Sequence, residues 1–405
     1  MKRSLLFLLG AFSVASISAQ NILDEKVTFK YTQLPLVKLD GTKEYSVQVE
    51  ANVAQRNADS TAAYEQRKIA YANQLDACMD LWEQDKKRID KAYLAAMVQW
   101  EQQVAAGNTA AVAPVKQPYP PINCPGRPKK PFLLQEVQTS SIIAGINIQG
   151  MTQNSSAAVK ITLVFEGFEK GMMKMETKGT APAQTYFWTM QYRSPVTLKI
   201  EMPGKGLVVN ERIPDLEGFR THRTKEYKSK SEFELWWMDN EEGFWNERQS
   251  QAVMDNVSAI NSYLTNKFGY PVVGRAVEVY SVKTNKDFDY SDMQNAYTAM
   301  ESGLLNLAYP EKINDAQNEI NKAIGIWTTV LKESNVNDKK ARVDKNVTAA
   351  AYINLSEAYI WLNDFAQAEV MANKAINVGV NKYEKDGKAK IAFIRDMKTR
   401  YNANK

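Results

Sequence analysis

Side chains able to do chemistry are sparse in this 405-residue chain: one histidine, two cysteines, and one run of tryptophans among carboxylates. His222 sits in "FRTHRTKEYK", where cationic neighbours lower its basicity and no carboxylate closely precedes it to orient the ring. It reads as a loop histidine, not a general base. One histidine and two cysteines fall short of the three or four ligands of an ordinary zinc site. The nucleophile-elbow, phosphate-loop, dinucleotide and zincin motifs are all missing, so no cofactor, metal or catalytic residue is expected. The remaining cluster is "ELWWMDNEEGFW", residues 234–245. Asp239, Glu241 and Glu242 beside Trp236, Trp237 and Trp245 have the makings of a glycosidase site, with paired carboxylates and sugar-stacking rings. With Phe233 and Phe244, the same rings also form one face of a helix docked on a sheet, which leaves the carboxylates solvated. The second reading is preferred, and the chain is not expected to be an enzyme.

The cysteines suggest a staple. Cys78 lies on the apolar stripe of a long helical pattern, and Cys124 lies in "KQPYPPINCPGRPKKPF", residues 116–132, which holds six of the chain's fourteen prolines. Cys78 stands 28 residues before the helix end at Ala106, or ~42 Å along the axis. Cys124 stands 18 residues beyond it, and an extended polyproline-like path covers ~56 Å. The reach suffices for a Cys78–Cys124 disulfide, with the proline tract as the stiff return path of a helical excursion.

These side chains need elements to position them. The first 19 residues combine Lys2 and Arg3, the apolar run Leu5–Val14 and small residues up to Ala19. That layout predicts a secretory signal peptide cleaved after Ala19. Removing Lys2 and Arg3 with it takes the net charge from +5 to +3, which gives no reason to expect nucleic-acid binding. The basic stretch from Lys382 to Lys405 is expected to be a solvated helix face. Because the chain ends in a basic helix and not in a β-rich sorting segment, a periplasmic resident is expected.

Residues 26–54 alternate with period two around "DGTK" and predict a hairpin. From Val53 to Ala106 there is neither Gly nor Pro. Tyr71, Leu75, Cys78, Trp82, Ile89, Tyr93, Ala96 and Trp100 recur there at helical, near-heptad spacing. Six further strands are expected over 134–215, starting with "EVQTSSIIAGINIQG". A helix over 229–268 and a strand over 272–284 follow. The expected fold is α+β: an antiparallel β-sandwich or barrel-like domain (20–54 plus 134–284) with an inserted helical arm (55–133), followed by a C-terminal helical domain (289–405).

Within that last region, "AAAYINLSEAYIWLNDFAQAEVMANKAINVGV", residues 349–380, resembles a tetratricopeptide repeat. Tyr352, Leu355, Ser356 and Tyr359 fall at the first-helix positions, and Phe365, Ala368, Ala372 and Ala375 at those of the second. Small residues let the two helices approach while the larger ones fill the seam. Asn363 replaces the usual turn glycine, and Val380 the closing proline. A weaker second unit places Ala316, Ile320 and Ala323 on its second helix. The resemblance covers about a quarter of the chain and implies a protein-binding groove that Ile353, Asn354, Glu357 and Trp361 would face. The layout also resembles exported repeat proteins of Bacteroidota-type bacteria. The expected function is an exported interaction scaffold that binds envelope or secreted proteins, with any membrane association indirect, through a protein partner. The alternative is a glycan- or peptide-binding module that uses aromatic residues of the β-domain.

Overall fold

The computed structural model of the protein describes residues 20–39, 43–108 and 110–405. The expected signal peptide and the Asp40–Thr42 part of the expected turn lie outside them. Among the described residues the fold is mixed α/β, with several sheets and no closed barrel.

The chain opens with β1 (Ile22–Thr32) and β2 (Glu44–Ala51), then the helix α1 (Val53–Ala105) and an extended return to the short helix α2 (Thr139–Gly145). Strands β3 (Thr152–Gln153), β4 (Lys160–Phe165), β5 (Glu169–Lys178), β6 (Thr185–Arg193), β7 (Val196–Met202), β8 (Gly206–Arg212) and β9 (Arg220–Arg223) follow. Then come α3 (Lys230–Phe268), β10 (Val272–Val282), and the helices α4 (Ser291–Asn306), α5 (Ile313–Val330), α6 (Lys345–Trp361), α7 (Phe365–Val378) and α8 (Asn381–Ala403).

Among the described residues three sheets stand where an antiparallel sandwich or barrel-like domain was expected. β1 pairs antiparallel with β10 along its whole length, from Ile22 opposite Val282 to Thr32 opposite Val272. A second sheet has the order β3-β2-β4-β7-β8, with β2 parallel to β3 and β4. A third, β5-β6-β9, is antiparallel throughout.

The expected hairpin is therefore corrected: β1 and β2 belong to different sheets. Alternation identified both strands but could not choose their partners, because pairing depends on which faces the rest of the chain covers. Val27, Phe29 and Tyr31 of β1, with Val277 and Val279 of β10, pack on the helices α4–α8. The β1–β10 ribbon thus belongs by packing to the C-terminal helical region, not to the β-rich one. The strand expected over "EVQTSSIIAGINIQG", residues 136–150, is also corrected. Residues 139–145 form α2, which buries Ile142 against the five-stranded sheet.

α3 serves both remaining sheets. Ser229 caps its N-terminus by accepting from the Glu232 N–H at 3.1 Å. The first half of α3 places Phe233 and Trp245 over Trp188, Met190 and Tyr192 of the three-stranded sheet. The second half buries Ile260, Leu264 and Phe268 against Ile161, Leu163, Leu198 and Ile200 of the five-stranded one.

Candidate functional site

α6 and α7 pack as an antiparallel pair. Asp344 caps α6 by accepting from the N–H groups of Asn346 and Val347, each at 2.9 Å, and Asp364 caps α7 through Gln367. Asn363 makes the turn with φ 60°, a left-handed conformation that asparagine tolerates. Ser356 donates to the Ala368 carbonyl at 2.9 Å, while Ala368, Ala372 and Ala375 are fully buried. Leu355 and Phe365 are buried, and Tyr352 and Tyr359 lie half-buried at the margin.

The four residues expected to face a partner groove are not open to one. Ile353, Asn354, Glu357 and Trp361 are all buried, and what covers them is the chain's own ribbon. Asn354 pairs with the Tyr280 backbone of β10, and Trp361 packs edge-on against Phe29 and Tyr31 of β1 at 5.1 and 4.8 Å between centroids. The four residues share one helix face, and β1 and β10 of the same chain occupy it.

Glu357 anchors the contact. It accepts from the Trp361 indole at 3.0 Å and pairs with Arg275 of β10 at 3.4 Å and with Lys390 of α8. Burial alone would raise its carboxyl, but Lys390 and Arg275 more than offset this and hold it at about 2. The Arg275 guanidinium lies over the Phe393 ring, 3.5 Å from its centroid. Arg275 and Lys390 escaped the sequence reading because surface lysines and arginines look the same there. A usable signal was a lone charged residue, Glu357, on a helix face otherwise made of Ala350, Ile353, Asn354 and Trp361, since a buried charge requires partners. The basic tail is corrected likewise: Arg400 is buried and donates to the carbonyls of Leu34 and Asn266 at 2.9 and 3.1 Å.

α1 and its return make an arm. At the root, Asn57 donates to the Leu134 carbonyl and accepts from the Leu134 N–H, both at 2.8 Å. Along the shaft the return runs back over the apolar stripe. Trp82 donates to the Pro120 carbonyl at 2.8 Å, Trp100 to that of Ala111 at 3.1 Å, and Lys116 pairs with Asp90 at 2.7 Å. Cys78 and Cys124 sit in disulfide geometry, with Cα atoms 5.7 Å apart. Near the tip, Val112 and Val115 are 87% and 89% exposed.

The tryptophan cluster faces inward. Phe233 stacks on Trp188 at 3.6 Å, and Trp245 packs with Phe168 and Phe244. Trp236 and Trp237 are half-buried beside them. Asp239, Glu241 and Glu242 lie on the solvent side, with Glu241 3.9 Å from Lys170. His222 is half-buried with its Nδ1 3.3 Å from Arg248, and burial first, then the Arg248 charge, lower its pKa. Between the end of the return and α3 lies a cleft of about 510 Å³ whose lining includes Val137, Ile142, Val253 and Gln249.

Among the described residues, no three His, Cys, Asp or Glu side chains gather closely enough to hold a metal ion. No helix among them is long and apolar enough to cross a membrane. No family model, curated protein or solved structure matches the chain.

Proposed function

We propose that the chain is an exported protein–protein interaction scaffold, resident in the periplasm, whose arm is the element offered to envelope or secreted partners. In this reading the C-terminal region is a tetratricopeptide-like unit used internally: it clamps the β1–β10 ribbon and so supports the rest of the molecule. The observation that carries the proposal is the arm itself. A helix of 53 residues has one face strapped by a proline-rich return and a cysteine pair, the opposite face solvated, and apolar valines near the tip. An element stiffened this far from any core of its own suits holding something at a distance. A disulfide agrees with export to an oxidising compartment. Glycan binding through aromatic rings has less support, because Trp188, Phe233 and Trp245 are buried.

The test is site-specific photo-crosslinking in the native envelope, with the reactive group at Val115 near the tip and, as a control, at Lys332 on the C-terminal region. A stoichiometric adduct with another envelope protein from Val115 alone supports the proposal. No adduct from Val115, or one only with the chain itself, rejects it.

A further inference from the structure

The arm carries a second stripe, about half a turn from the one the return covers. Starting at Ile69 and ending at Val98, it steps through Asn73, Asp76, Asp80, Glu83, Lys87, Lys91 and Leu94. The eight steps span 29 residues, which matches the ~3.6-residue period of a straight helix, so these positions form one line along the shaft. Ile69, Leu94 and Val98 on this line are 64%, 64% and 52% exposed.

Charge divides along the line. Asp76, Asp80 and Glu83 lie toward the root, Lys87 and Lys91 toward the tip. Several other shaft charges find partners within the chain: Lys68 with Glu65, Lys86 with Glu83, Arg88 with Asp85, and Lys116 with Asp90. Among the described residues, Asp76, Asp80, Lys87 and Lys91 form no such pair. Four unpaired charges, split by sign across a midpoint, are self-complementary under a two-fold axis.

We infer that this face binds a second copy of the chain, arm against arm and antiparallel, about a two-fold axis between Glu83 and Gln84. In that register Asp76 meets Lys91 of the other copy, Asp80 meets Lys87, Asn73 meets Leu94 and Ile69 meets Val98. Each contact occurs twice. The axis falls near the middle of the Val53–Ala105 shaft, so the arms overlap along most of their length and the two bodies lie at opposite ends. A parallel pairing would set Asp on Asp and Lys on Lys, and like-charge contacts select against it. The apolar ends supply burial, and the central charges set register and direction. This inference goes beyond the scaffold reading and does not depend on it, because the partner is the chain itself.

Sedimentation of the full chain with its disulfide intact tests the inference. The unaltered protein is expected to be a dimer at low salt. It should dissociate as salt rises from ~0.01 M to ~1 M, which shortens the screening length from about 30 to about 3 Å. Lys87→Glu with Lys91→Glu, and separately Asp76→Lys with Asp80→Lys, should each weaken self-association by ~100-fold or more, because like charges then face each other. Mixing the two variants should restore a one-to-one dimer, and the fourfold exchange in one chain should restore the homodimer. All substituted residues are exposed, so circular dichroism should be unchanged. A protein that stays monomeric at low salt, or variants that dimerise as the unaltered chain does, would overturn the inference.

Discussion

Asn354 of α6 and Tyr280 of β10 exchange two hydrogen bonds. The Tyr280 N–H donates to Asn354 Oδ1 at 2.9 Å, and Asn354 Nδ2 donates to the Tyr280 carbonyl at 2.7 Å. A side-chain amide thus stands where the next strand's backbone would be, and satisfies the outer edge of the ribbon inside a fully buried contact. The same device recurs at the root of the arm, where Asn57 pairs with both backbone groups of Leu134.

Asn354→Leu keeps the branched shape of the side chain but leaves the Tyr280 N–H and carbonyl without partners. Unpaired buried backbone groups cost ~1–3 kcal/mol each, so a loss of ~3 kcal/mol is expected in urea unfolding of the C-terminal region. A change below ~1 kcal/mol would mean that the ribbon does not depend on this amide.

Glu357 makes stability depend on pH in a defined direction. Its carboxyl is held near 2 in the folded protein against an ordinary 4.5, so its contribution is complete above pH 4.5 and is lost as pH falls toward 2. Glu357→Gln should flatten that limb of the acid unfolding curve. Glu357→Ala should cost more than Gln at neutral pH, because it leaves Arg275 and Lys390 facing each other without a counter-charge.

Reduction of Cys78–Cys124 should loosen the arm and spare the cores. The two residues are 46 apart in sequence, and closing a loop of that length corresponds to ~4 kcal/mol of unfolded-chain entropy. Amide exchange in the return, from Ala111 to Phe132, is expected to rise sharply on reduction or in Cys124→Ser. Exchange in β4, β7 and α6 should hold. Equal loosening throughout would show that the arm and the cores unfold together.

Gly303 lets α4 approach α5. A Cβ there would stand 2.6 Å from Ile320 Cγ1 and 3.0 Å from the Ala316 carbonyl oxygen. Gly303→Ala should destabilise the region by ~1–3 kcal/mol, despite alanine's better helix propensity, as overpacking does. Ile320→Ala in the same chain removes Cγ1, so the double variant should lose less than the sum of the two single variants. Thermal melts of the single and double variants check both statements.

Local pattern carried much of this structure. The long helix is legible from its composition and spacing, and α3 and β10 from period and caps. The Cys78–Cys124 contact follows from comparing helix rise with the reach of a polyproline path. The faces of α6 were legible too, since Ile353, Asn354, Glu357 and Trp361 do share one. What lies on that face was not. Glu357 reads as a residue facing a partner groove because nothing nearby in sequence announces Arg275, 82 residues away, or Lys390, 33 residues away.

The sequence by itself determined, α2 excepted, which of the longer segments are helix or strand and which face of each is apolar, because these depend on residues a few positions apart. It also determined that a proline-rich segment could travel back along α1. Only the tertiary structure decided that β1 leaves its neighbour β2 to pair with β10, some 250 residues later, and that the ribbon then covers the face of α6 that holds Asn354 and Trp361. Strand partners and groove occupants are chosen by the burial of faces contributed from distant parts of the chain, and no local period encodes which distant face will arrive.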